Sequence, residues 1–132
     1  MASNKIIRIG PVALSTTTTT NIYNPPALTG GTPSNASNAY VIIRHIRVVN
    51  KTTSAASFAL WMGATGGNAA GTEVVAGGIA SAGALTNGVS VAAGGVFDFY
   101  GQLRMDAADF LVGGAGTATA LTFEAEAEIG IV

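Results

Sequence analysis

The chain has 132 residues, of which 48% are hydrophobic and only 10% are Asp, Glu, Lys or Arg, against about 25% in an average soluble domain. It has no cysteine, which excludes a disulfide framework and a thiolate metal site. Six cations against seven acids, net charge −1, do not build the basic face that nucleic acid requires.

Strand signals recur along the chain, and almost nothing has helical period. "KIIRI" (5–9) ends at Gly10-Pro11, and "STTTTTNIY" (15–23) is β-branched. The run "NPPALTGGTPSNASN" (24–38), with three prolines, reads as loop. "YVIIRHIRVVN" (40–50) is the most strand-like stretch, and "SFALWM" (57–62) follows a Thr/Ser turn. Gly63–Gly71 reads as a loop. "TEVVA" and "ALTNGVSVAAGGVFDFY" hold further short strands, with Asn87-Gly88 expected as a two-residue hairpin turn between Leu85 and Val89. "RMDAAD" (104–109) reads as a turn whose Asp side chains bond local amides. "FLV" (110–112) and "ATALTFEAEAEIGIV" (118–132) finish the chain. The expected fold is all-β: one antiparallel β-sandwich or jelly roll of about eight short strands with Gly/Pro-rich loops. Residues 1–23 are expected as an N-terminal arm or edge strands, and 24–132 as the sandwich.

Charge is unevenly placed. From Thr52 to Phe97 the only charged residue is Glu73. The uncharged run Val74–Phe97 has the length of a membrane span, but its six glycines and its polar residues read as short strands and turns. "MASNKIIRIG" lacks the apolar core of a secretory signal, so a protein folded and assembled in a cytoplasm is expected. A surface with so little charge favours association.

In the last strand, Leu121, Phe123, Ala125, Ala127 and Ile129 share one face, and Glu124, Glu126 and Glu128 the other. Strict alternation in 40–50 sets Tyr40, Ile42, Arg44, Ile46 and Val48 on one face and Val41, Ile43, His45, Arg47 and Val49 on the other. Arg44 and Arg47 then point to opposite faces, a poor design for one converging site. They are expected to be structural, one of them meeting the Glu124/Glu126/Glu128 face. His45 is expected neutral and hydrogen-bonded.

Catalytic chemistry has few residues to use. With one histidine and no cysteine, a Ser/His/Asp triad would need His45, set between two arginines that disfavour its protonation. "GATGGNAAG" (63–71) lacks the lysine of a phosphate loop. One histidine is too few for zinc, and Asp98, Asp106 and Asp109 lack the spacing of a calcium loop. No cofactor, metal site or catalytic residue is therefore expected. Trp61 is read as core rather than as a sugar platform. Asn35-Ala36-Ser37 and Asn50-Lys51-Thr52 match the N-glycosylation pattern.

Five stretches in series carry a resemblance: "NIYNPPALTGG", "YVIIRHIRVVNKTT", "ASFALWMGA", "VAAGGVFDFYGQLRMDAADFLVGGAG" and "LTFEAEAEIGIV". Over residues 15–132 the chain resembles small β-sandwich structural proteins of tailed bacteriophages, among them head decoration, minor capsid and tail-associated proteins. Where that pattern would read Ala-Gly-Asp, this chain has Ala107-Ala108-Asp109. The resemblance implies a non-enzymatic virion protein, a capsid decoration or minor capsid component, that binds copies of itself, as a trimer for instance, and other virion proteins such as the major capsid protein. A tail-associated or carbohydrate- or receptor-binding module is the alternative, and would need aromatics on loops 24–38 and 63–71. A jelly-roll hydrolase or isomerase would need a histidine or carboxylate cluster.

Overall fold

In a computed structural model, which describes residues 5–23, 39–64, 66–77, 80–81, 84–85, 87–106 and 108–131, the described residues form ten strands and no helix. They are β1 (Lys5–Ala13), β2 (Thr20–Tyr23), β3 (Ala39–Asn50), β4 (Ala56–Gly63), β5 (Ala80–Ser81), β6 (Ala84–Leu85), β7 (Val89–Val91), β8 (Val96–Asp106), β9 (Phe110–Ala115) and β10 (Leu121–Ile131). Eight of them make two four-stranded antiparallel sheets, ordered β1-β10-β3-β8 and β2-β9-β4-β7, and β5 pairs with β6 apart. The result is a β-sandwich. Successive strands of the two sheets alternate between them, except β4 and β7, which pair.

Alternation explains the layers. On β10, Leu121, Phe123, Ala125 and Ala127 are buried, while Glu124 and Glu126 are exposed. The alanines leave room for the bulk of β3, whose Val41, Ile43, Ile46 and Val48 are all buried. Phe58 and Leu60 of β4 and Leu111 of β9 close the core from the second sheet. Phe97 of β8 meets Phe58 edge-on, with ring centroids 5.2 Å apart. Each such aliphatic or aromatic side chain contributes about 1.5–3 kcal/mol on burial.

Trp61 is 1% exposed and belongs to a second cluster with Ala59 and Val112, against which Leu85 and Phe110 pack. That burial removes it as a sugar platform. The segment after β4 returns along that strand: Met62 donates to Thr72, Leu60 donates to Ala76, and Val74 donates to Leu60. "TEVVA" is thus an irregular edge segment rather than a strand.

Other expectations need correction. β1 runs through Gly10-Pro11, where a register shift between Ile9 and Val12 absorbs the break. Gly10 has φ 87°, and a Cβ there would lie 2.8 Å from the Phe123 carbonyl oxygen, so glycine is required. "STTTTT" is mostly turn. Thr20 donates its backbone N–H and its hydroxyl to the Thr17 carbonyl, and such local hydroxyl bonds compete with strand pairing. Asn87-Gly88 closes no hairpin: Leu85 pairs with Ala80, and Val89 with Phe58. Asn50 is 1% exposed; its Nδ2 donates to the Ser54 and Val91 carbonyls, and its Oδ1 accepts from the Thr52 N–H and hydroxyl. It is a clamp on the β3–β4 turn. Asn35 and the loop 24–38 lie outside the described residues.

Candidate functional site

The outer face of the β1-β10-β3-β8 sheet gathers the chain's polar chemistry. A fan of irregularities builds it. Between the rows Ala125–Ile46–Phe99 and Ala127–Ile43–Leu103, β10 advances regularly, β3 gains one residue and β8 gains two. The extra residue in β3 is Arg44. It shifts the alternation by one, so that Arg44, His45 and Arg47 all face outward while Ile43 and Ile46 both face the core. The expectation that the two arginines occupy opposite faces is therefore wrong, because a β-bulge places two residues against one.

The outward side chains pair across strands. Arg44 reaches Glu128 of β10 through Nη2 at 2.8 Å and Nε at 3.1 Å. The hydrogen bond of Arg47 goes to β8: its Nε donates to Asp98 Oδ1 at 3.1 Å. The same oxygen lies 2.7 Å from His45 Nε2. Glu126 lies in register between Arg8 and His45, and Glu124 beside Arg47. Tyr100 stacks on His45 with centroids 4.4 Å apart and planes 5° from parallel, and is 71% exposed. Arg104 sits 4.7 Å from the Tyr40 ring centroid and bonds Asp106 at 2.9 Å.

The electrostatics follow from these contacts. The hydrogen bond from His45, then that from Arg47, holds the Asp98 carboxyl below its ordinary value. The bond to Asp98 raises Arg47 in return. At the neighbouring turn the Asp106 N–H donates to Asp109 Oδ2, and the Asp109 N–H to the Asp106 carbonyl.

Sequence reasoning missed Asp98 and Tyr100 as members of this group. The available signal was Arg44-His45, two adjacent polar residues that separate the apolar pairs Val41/Ile43 and Ile46/Val48 by three positions instead of two.

Chemically, His45 and Asp98 form a base–carboxylate pair. Among the described residues no serine or threonine hydroxyl is hydrogen-bonded to the ring. A shallow depression lined by Ile6, Arg44, Glu126, Ala127 and Glu128 holds about 50 Å³, far below the roughly 300–1,000 Å³ of small-molecule sites. No group of three His, Asp or Glu among the described residues is arranged to hold a metal, and no helix there is long and apolar enough to cross a membrane.

No family model matches the chain, and no curated protein does. Among solved structures, a chain of the Bacillus endospore appendages, described as disulfide-linked pili, is 16% identical, with a TM-score of 0.38 over 100% of this chain and 87% of that one. The Eiger TNF of S. frugiperda is 11% identical, with a TM-score of 0.35 over 96% and 85%. A chain of the infectious bursal disease virus Gt strain is 9% identical, with a TM-score of 0.23 over 99% of this chain and 31% of that one. These likenesses carry no functional argument.

Proposed function

We propose that this chain is a non-enzymatic structural subunit that packs with copies of itself in a larger particle. One observation carries the reading. Arg8, Arg44, Arg47 and Arg104, with Asp98, Asp106, Glu124, Glu126 and Glu128, line one sheet face. Those four arginines and five carboxylates are nine of thirteen charged residues, from six cations and seven acids. The rest of the surface keeps Lys5, Lys51, Glu73 and Asp109 for charge, too little to hold copies apart. The charged face also carries the exposed Ile6, Val96 and Tyr100. Aromatics and arginine beside apolar groups are what protein interfaces enrich.

The finer reading is a virion component: a capsid decoration, cement or minor capsid protein that binds the major capsid protein and stabilises the particle. The two-sheet, eight-stranded order supports it as a jelly roll, an architecture used by capsid domains, alongside the resemblance to phage structural proteins. Light scattering of the purified chain and mass spectrometry of purified particles test the proposal. A stable monomer at high micromolar concentration that is absent from every particle would overturn it.

A further inference from the structure

The four edges of the two large sheets are not equal. β2 has four residues, and β7 has three, with the 72–76 segment continuing the same edge along β4. β1 contains Pro11, which has no N–H to offer, within a bulge. β8 has eleven residues and no proline. Among the described residues no strand pairs with it on the side away from β3. Its core-facing Phe97, Phe99 and Leu103 are only partly buried although they pack on the core, so their open flanks lie along this edge.

We propose that β8 pairs antiparallel with β8 of a second copy about a two-fold axis at Gly101, joining two sheets into one of eight strands. This rests on the self-association proposed above. The register follows from charge. Centred on Gly101, each Asp98 faces Arg104 of the second copy, Phe99 faces Leu103, and Phe97 faces Met105. Centred on Gln102, Asp98 would face Asp106, two like charges. Centred on Tyr100, Arg104 would face Val96. Half-residue registers set outward side chains against inward ones. Both bonds that Asp98 receives among the described residues end on Oδ1, which leaves Oδ2 for the second guanidinium. Arg104 uses Nε for Asp106 and has its two Nη groups to give. The irregularity at Gly101 and Gln102 falls on the axis, where a residue without Cβ lets two backbones approach.

The chain has no cysteine, so introduced thiols report cleanly. Directly opposed strand residues lie about 4.5–5.5 Å apart at Cα, within disulfide reach. Tyr100 and Gln102 are both exposed and face each other in this register. Under mild oxidation, an equimolar mixture of the Tyr100→Cys and Gln102→Cys chains should form a covalent dimer far more readily than either chain alone. Separately, Asp98→Arg and Arg104→Asp should each weaken the dimer about tenfold or more, and the double reversal should restore it even though it leaves Arg47 and His45 without their carboxylate. Equal cross-linking in the mixture and in the single variants, with light scattering still showing an oligomer, overturns the β8 seam and leaves self-association standing. A monomeric parent chain at high micromolar concentration overturns the seam, and its absence from every particle as well overturns both.

Discussion

Asn50, 1% exposed, is one of two buried polar side chains among the described residues. Replacing it with alanine removes four hydrogen bonds: two donated to the Ser54 and Val91 carbonyls at 2.8 and 3.0 Å, and two accepted from Thr52 at 2.9 and 2.7 Å. A net hydrogen bond is worth about 0.5–1.5 kcal/mol, and a buried group left unsatisfied costs about 1–3. Thr52 is partly exposed and regains water, so its two bonds weigh less. The bond to Val91 is buried and counts fully. The expected loss is about 2–3 kcal/mol. At about 2.1 cal/mol/K per residue, unfolding of this chain carries about 0.28 kcal/mol/K, so Tm should fall by about 7–11 °C. Asn50→Asp keeps the shape but turns a donor into a lone pair facing two carbonyls, and should cost at least as much. Urea unfolding of the two variants, compared at equal m, measures this. A loss under about 1 kcal/mol for Asn50→Ala, or an aspartate variant as stable as the parent, would refute the clamp.

Arg44→Met should cost less than about 1 kcal/mol in urea unfolding, because the Arg44–Glu128 pair is exposed and solvent-screened; a cycle with Glu128→Gln measures the coupling directly. Asp98 has its carboxyl depressed by His45 and Arg47, so its contribution is present above the unfolded value, near 3.8, and is lost as pH falls through the lower folded value. Asp98→Asn should therefore flatten the acid limb of a stability-against-pH curve. Gly113→Ala would set a Cβ 2.6 Å from Leu60 Cδ2 and 2.9 Å from the Ala59 carbonyl oxygen, and should lower stability by about 1–3 kcal/mol in thermal unfolding.

The all-β class and the faces of β10 were legible because a regular strand writes its burial into every second residue. The bulged β3 was not. One inserted residue inverts the parity of all that follow, so Arg44 and Arg47 were set on opposite faces when they share one. Arg47's carboxylate, Asp98, stands 51 residues away on β8, a distance over which local pattern says nothing about register. Asn87-Gly88 has the composition of a hairpin turn, and Asn87 does adopt a positive φ of 94°. The strands on either side nevertheless found other partners, because a turn residue licenses a backbone conformation and does not choose what the chain meets afterwards.

The placement of β10 has a consequence for how this protein is made. It lies between β1 and β3, so the sheet that carries the charged face lacks its second strand until residues 121–131 have left the ribosome. Until then β1 has no neighbour and β3 has one at most, which exposes "KIIRI" and "YVIIRHIRVV" to other nascent chains. Pairings of such long sequence separation form slowly, and unpaired edges of this kind aggregate. The yield of native protein should thus depend on how quickly residues 121–131 emerge, and a ribosome stalled before residue 121 should hold a chain without its native first sheet.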